Sequence, residues 1–408
     1  MRHNPTLRDD HQIRLIEGGL AYFDALVAAL DQARSHVMLE TYIFNVHGAA
    51  LRVAEALERA ALRGVRVWLV VDGVGTPHLP EVWRTRFAQA GVDWRVYAPL
   101  GTLGLLMPNR WRRLHRKLCV VDGHTAFCGG INILDDWYDP HHGTLAKPRL
   151  DFAVSAQGEL VGHIQDSMSQ LWWRLQGAQH ARERKIPQAL RSFKTAGLPL
   201  PWKQPLPLPD GSPPSSRAAL LLRDNVLHRS QIERAYLKAI GLARHEVLIA
   251  NAYFLPGRRL RQALVHATRR GVRVRLLLQG RYEYFMQYHA ARPVYGALLA
   301  AGVEIYEYDV SFLHAKVAVV DPDNDRPWAT VGSSNLDPLS LLLAREANVV
   351  VADKRFARRL HQRLCQVIES QSTPVTADFN QRHWHTRLRD VIAFGLMRLA
   401  LLITGHRY

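Results

Sequence analysis

The chain has 408 residues, 48% of them hydrophobic and 22% charged, with a formal net charge of +17. This composition excludes a disordered or fibrous chain and suits two domains, or one duplicated domain, with a sizeable core. The cationic excess exceeds the roughly 2–8 units of an ordinary small soluble domain and points to an anionic partner, either a membrane surface or a nucleic acid.

The N-terminus, Met1 to Asp10, is polar and lacks the apolar run of a signal peptide. His36 to Phe44 is rich in apolar and aromatic residues and predicts a buried strand. Leu51–Leu62 has helical apolar spacing and stops at Gly64, after which Val65 to Val71 reads as a β-branched strand. Ala90-Gly91-Val92 marks a second helix stop before a strand. An apolar stretch, Leu103 to Pro108, and a basic one, Arg110 to Arg113, precede His115-Arg116-Lys117. Four residues later comes Asp122, and then Gly129-Gly130-Ile131-Asn132. From about Gln176 to Ser216 the chain gathers Pro187, Pro199, Pro201, Pro205, Pro207, Pro209, Pro213 and Pro214, which predicts an extended surface connector or lid.

The second half repeats the first. His245 to Phe254 matches the early strand, Leu260–Arg269 the helix, and Gly271 and Gly302 the two helix stops. His314-Ala315-Lys316, Asp321 and Gly332-Ser333-Ser334-Asn335 repeat the motif and its tail. The extra residues Pro322 to Pro327 predict a longer hairpin loop away from the motif histidine. The end of the chain is basic and aromatic from Trp384, then apolar from Val391 to Ile403. That run is short of the ~20 residues of a membrane span and contains Arg398. It fits an interfacial helix or a helix packed on the body, and any membrane attachment is expected to be peripheral. Cys119, Cys128 and Cys365, an odd and sparse set, argue against a disulfide framework and fit a reducing compartment.

Strands alternating with helices in each half predict an α/β fold of two sandwich halves with central mixed sheets, related by pseudo-twofold symmetry. The expected division is an N-terminal half over 1–175 with the first motif, a proline-rich linker over 176–216, a C-terminal half over 217–375 with the second motif, and a basic amphipathic tail over 376–408.

The doubled motif suits phosphodiester chemistry. On a strand, residues two apart face the same way, so His115 and Lys117 share a side, as do His314 and Lys316. Brought together by the pseudo-twofold, they surround one phosphate. One imidazole, neutral, attacks phosphorus, and the other, protonated, gives its proton to the leaving oxygen. Lys117 and Lys316 neutralise the phosphoryl oxygens, and Asn132 and Asn335 donate amide hydrogens to them. Asp122 and Asp321 complete the catalytic motif, although their place at a strand end suits a structural role. Glu346 is placed to orient a histidine through Nδ1. The lysines supply the positive charge, so neither metal nor cofactor is expected.

These residues resemble the phospholipase D superfamily, whose mark is this duplicated His-x-Lys-x4-Asp motif, over nearly the whole chain. Within it the chain is similar to the bacterial cardiolipin synthases of the short type that lack N-terminal membrane spans, through Leu39 to Phe44, Ile249 to Gly257, Arg223 to Asn225, Ile232 to Arg234 and Thr330 to Ser340. The resemblance implies a duplicated phospholipase D-like fold and a ping-pong phosphatidyl transfer through a phosphohistidine. Two phosphatidylglycerol molecules would give cardiolipin and glycerol, with phosphatidylethanolamine as an alternative donor. Analogy leans to His115 as the nucleophile, which two near-identical motifs leave open. It also implies a peripheral place on the cytoplasmic side of the bacterial cell membrane, at an anionic surface. The tail's Gly130, where many members have Ser, is expected to be tolerated because the backbone amides and Asn132 remain. The competing readings are a phospholipase D-type hydrolase and a nuclease or other phosphodiesterase of the same superfamily. Nucleic acid is the less favoured partner, because no aromatic platform for stacking bases is interleaved with the basic residues.

Overall fold

The computed structural model describes residues 6–101, 111–139, 142–197, 216–224, 228–281, 285–337 and 344–376, and a few positions between 379 and 396. The first half runs β1 (Arg8–Glu17), α1 (Gly19–Gln32), β2 (His36–Thr41), α2 (Leu51–Leu62), β3 (Arg66–Asp72), α3 (Glu81–Ala90) and β4 (Asp93–Tyr97). It continues through β5 (Arg113–Leu114), β6 (Lys117–Val121), β7 (Thr125–Gly129), the small pair β8 (Tyr138–Asp139) and β9 (Gly143–Thr144), β10 (Phe152–Gln157), α4 (Glu159–Arg182) and α5 (Ile186–Ala196). The second half runs β11 (Ser216–Arg223), α6 (Gln231–Leu242), β12 (Glu246–Asn251), α7 (Arg258–Arg269), β13 (Arg273–Gln279), α8 (Phe285–Ala300) and β14 (Glu304–Tyr308). It closes with β15 (Lys316–Val320), β16 (Trp328–Gly332), β17 (Ala344–Ala352), α9 (Lys354–Gln371) and β18 (Ser372–Pro374).

The order along the main sheet is β18-β14-β13-β12-β15-β16-β17-β11-β1-β10-β7-β6-β2-β3-β4, with β5 attached to β17. Apart from β18 it reads the same from either end about the β11–β1 junction. The expected α/β architecture with pseudo-twofold symmetry is thus present, and the sheets of the two halves join edge to edge into one. The sheet is mixed: β2, β3 and β4 are parallel, as are β12, β13 and β14, while the motif hairpins are antiparallel. Register is conserved between halves, since Val37 faces Val121 and Val247 faces Val320.

Helices cover both faces, so the central strands are buried on both sides and read as continuous apolar runs. On one face, α4 and α9 lie over a core shared by both halves, which includes Leu118, Val154, Met168, Val317, Val349 and Leu364. On the other face each half has its own core, built around Phe23 and Leu57 in the first and Ile240 and Leu264 in the second. Gly64 and Gly271 end α2 and α7 with φ of 87° and 82°, left-handed values that let the chain turn into the next strand.

The motif aspartates lie apart from the motif histidines. Each follows the last residue of its strand, at the end opposite the histidine, with positive φ (54° for Asp122, 47° for Asp321). Asp122 accepts hydrogen bonds from the backbone N–H groups of Arg34, Ser35 and His36, and Asp321 from those of Arg244, His245 and Glu246. Each carboxylate therefore ties the start of one strand to the end of its neighbour, which fits the structural role that a strand end suits. Asp321→Ala leaves three amides unpaired and should cost about 2–3 kcal/mol of stability. A thermal melt should show this, with specific activity well below the midpoint near the parent's. Lost turnover with an unchanged melt would return Asp321 to the chemistry.

The proline-rich connector also differs from expectation. Residues 176–196 are largely helical: α4 continues to Arg182, and α5 packs back along it. Pro187 lies in the first turn of α5, where its missing N–H costs nothing. Residues 198–215, with the other prolines, and the Leu103 to Pro108 loop lie outside the described residues. Pro322 to Pro327 form the turn between β15 and β16, at the end of the hairpin away from His314. Near the C-terminus, Asp390 and Ala393 are buried, and Asp390 Oδ1 lies 2.7 Å from His289 Nδ1. Leu388, Ile392 and Leu396 are exposed, so this segment packs on the body and still presents an apolar stripe outward. Among the described residues no helix is long and apolar enough to cross a membrane.

Candidate active site

Each motif histidine is fixed by the opposite half of the molecule. β5 runs parallel to the start of β17, and a bridge between Leu150 and Leu313 is its symmetric counterpart. The His115 N–H donates to Arg345 O at 3.0 Å, and the His314 N–H to Leu150 O at 2.9 Å. The residues after those carbonyls carry carboxylates. His115 Nδ1 lies 2.9 Å from Glu346 Oε1, and His314 Nδ1 lies 2.6 Å from Asp151 Oδ2. A carboxylate partner puts the hydrogen on Nδ1 and leaves Nε2 for chemistry.

Glu346 was legible in the sequence as a histidine-orienting residue, whereas Asp151 was missed. Its signal was positional, since Leu150-Asp151-Phe152 enters β10 as Arg345-Glu346-Ala347 enters β17. The two carboxylates are supported differently. Ser333 Oγ donates to Glu346 Oε2, while the Phe152 N–H donates to Asp151 Oδ1 at 2.8 Å. Gly130 occupies the serine's place because a Cβ there would collide with Asp151 Oδ1. The glycine that departs from the serine pattern is therefore matched to the shorter acid. A second pair of positioning groups was also missed. Asp72 Oδ2 accepts from the Leu114 N–H at 2.7 Å, and Gln279 Oε1 from the Leu313 N–H at 3.0 Å, in each case just before the histidine.

Lys117 and Lys316 are almost wholly buried, and each Nζ donates to the carbonyl of its own motif histidine. Arg116, between His115 and Lys117, points the other way, to Glu40 and Ser167 beneath α4. The alternation expected of a strand is therefore present. Burial, opposed by Glu346 and assisted by Lys316, brings the Lys117 ammonium down to about 7. Burial lowers His115 despite Glu346, and burial with Lys316 and Lys117 drives His314 well below its ordinary value. Asp151 is pushed up to about 7 by burial, against Lys316 and the Phe152 amide. The site is thus short of negative charge, and a phosphate entering it would favour protonation of one imidazole.

His115, His314, Asn132, Asn335 and Asp151 line one cavity of about 920 Å3. Asn132 Oδ1 accepts from the Ile43 N–H at 3.2 Å, which leaves its NH2 end for a ligand. The cavity continues over apolar residues of the first half, including Val46, Val74, Pro77 and Leu134. Tyr42 lies edge-on to the His115 ring, with centroids 5.1 Å apart, and 5.6 Å from Lys117 Nζ. By strand register its counterpart in the second half is Ala252, so the two motifs are not equivalent.

Known proteins resemble this chain over both halves. The family described as "Cardiolipin synthase, PLD-like domain" matches residues 26–172 and 236–368, one segment in each half. Cardiolipin synthase B of Escherichia coli K12 is 35% identical over 409 residues, covering 96% of this chain and 89% of that protein. Cardiolipin synthase B of Salmonella typhimurium LT2 is 37% identical over 393 residues, with the same coverage. Cardiolipin synthase A of Pseudomonas putida is 30% identical, covering 97% of this chain and 74% of that protein. In fold, the chain is similar to the crystal structure of phosphatidylserine synthase from Haemophilus influenzae, with a TM-score of 0.67, 11% identity, and 96% and 94% of the two chains covered. With two matched segments spanning both halves and relatives above 30% identity over almost its whole length, this chain belongs to the phospholipase D-like cardiolipin synthase family.

Proposed function

We propose that the protein is a cardiolipin synthase that transfers a phosphatidyl group from one phosphatidylglycerol to another and releases glycerol. The observation that carries this is the single cavity onto which both motif histidines open, each held by a carboxylate of the other half, in a chain of this family. In the first step a neutral imidazole attacks phosphorus. The N–P bond forms, the P–O bond to glycerol breaks, and the second, protonated imidazole gives its proton to the departing oxygen. In the second step that imidazole, now neutral, takes the proton of the incoming hydroxyl as its oxygen attacks phosphorus and the N–P bond breaks. Lys117 and Lys316, with Asn132 and Asn335, balance the charge on the phosphoryl oxygens throughout.

The lipid substrate and a peripheral place on the cytoplasmic side of the membrane belong to the same reading. The apolar wall of the cavity supports it. So do the outward stripe of Leu388, Ile392 and Leu396, the exposed Ile186 and Leu190 of α5 beside Lys185 and Lys194, and the cationic excess that anionic lipids attract. Mass spectrometry of the products from phosphatidylglycerol vesicles, with and without phosphatidylethanolamine, tests it. Cardiolipin and free glycerol are expected, and comparison of the two mixtures identifies the donor. Phosphatidic acid as the sole product would make the protein a hydrolase, and folded protein without lipid turnover would end the lipid reading.

A further inference from the structure

Away from the cavity, α9 carries a second cluster of ionisable side chains against the C-terminal half of the sheet. His361 and Cys365 lie one turn apart on the same helix face. Beneath them, Glu246 on β12 and Arg275 on β13 share the sheet face that α9 covers. Arg275 Nε donates to Glu246 Oε1 at 2.6 Å, and its Nη2 lies 3.0 Å from Cys365 Sγ. His361 Nε2 lies 2.7 Å from Glu246 Oε2 and 3.5 Å from Sγ. Cys365 is partly exposed, whereas Cys119 and Cys128 are buried.

The charges around Cys365 favour its thiolate form. Hydrogen bonds to Cys365 and Glu246 push His361 up to about 9, so the charged forms of His361 and Cys365 favour one another, and a charged His361 with Arg275 outnumbers the Glu246 carboxylate. The neighbouring Arg273 and Glu304 pair with each other, and Tyr306 bonds to Glu304, so they leave that excess unchanged. Further along α9, Arg358 pairs with Asp323. A thiolate at Cys365 closes the count. Burial opposes its ionisation, but the hydrogen bonds from His361 and Arg275 outweigh that and lower its pKa. The scaffold does not require such a cluster. In the first half, register puts His36 and Trp68 in the places of Glu246 and Arg275, and His36 Nε2 meets Gln165 Oε1 of α4 at 3.2 Å, with Ser169 one turn on.

We propose that Cys365 is a site of covalent modification by hydroperoxides and alkylating electrophiles, built by Arg275, His361 and Glu246. With a hydroperoxide, sulfur attacks the terminal oxygen. The S–O bond forms and the O–O bond breaks, the thiolate is oxidised by two electrons to a sulfenic acid, and the peroxide is reduced to an alcohol or water that takes its proton from His361. With an alkyl iodide the S–C bond forms and iodide leaves. The reaction is independent of lipid transfer.

The test is iodoacetamide labelling of the full chain, read site by site by peptide mass spectrometry from pH 6 to 9. At pH 7 Cys365 is expected to react about fivefold faster than glutathione, the gain in thiolate being partly offset by its lower nucleophilicity. Its rate should level off at a lower pH than that of glutathione, and Cys119 and Cys128 should stay unlabelled. His361→Gln, which copies the first half, should move the Cys365 profile toward that of glutathione and leave phosphatidyl transfer unchanged. After brief hydrogen peroxide, dimedone should add at Cys365. A Cys365 rate no greater than that of glutathione and rising in parallel with it would overturn the proposal on the parent protein alone. Fast alkylation without a dimedone adduct would remove its hydroperoxide half.

Discussion

His115→Ala and His314→Ala should each lower phosphatidyl transfer by about a thousandfold or more, equivalent to ~4 kcal/mol of barrier. In the proposed mechanism the two imidazoles carry different roles and neither covers for the other, because each is held by its own carboxylate and backbone carbonyl. Both side chains lie at the cavity surface, at 16% and 19% exposure, so truncation leaves the cores intact and the melting temperature near the parent's. Rapid quenching with labelled phosphatidylglycerol also separates the roles. The variant that still forms a covalent phosphatidyl adduct has kept the nucleophile, and the other has lost it. Turnover above about a tenth of the parent's in either variant would rule out the two-histidine mechanism.

Glu346→Gln and Asp151→Asn should reduce kcat by about 10² to 10⁴ with little change in KM, the scale seen when a buried acid that fixes a histidine tautomer is replaced by its amide. The larger loss is expected at Glu346. Its two oxygens accept from both His115 Nδ1 and Ser333 Oγ, and an amide keeps only one of those two acceptors. Asp151 is already pushed up to about 7 by burial, so a neutral amide departs less from it in charge. Steady-state kinetics on both variants checks the order. An unchanged kcat in Glu346→Gln would show that His115 finds its orientation elsewhere.

The repeat made most of the architecture legible. The helix stops at Gly64 and Gly271, the strands entering each motif, and the shared side of His115 and Lys117 all follow from local periodicity and turn chemistry. The exchange of carboxylates between halves did not. A strand pattern says which residues share a face, but not which distant strand supplies the acid that meets it, so Glu346 was recognised without its twin. Asp122 and Asp321 were placed at their strand ends by sequence, yet their partners are backbone amides, which carry no side-chain signature. The helical content of 176–196 was hidden because Pro187 and the prolines after it suggested an extended chain, although the first turn of a helix accepts proline.

The crossed attachment of the histidines has a consequence for inheritance and assembly. A gene fragment encoding either half would yield no fraction of the activity, since each fragment holds a histidine without its acid and an acid without its histidine. The two halves are thus obligate partners, joined in one sheet through β1 and β11 and in one shared core. Two chains that traded halves would rebuild two complete sites, each with both histidines and both acids.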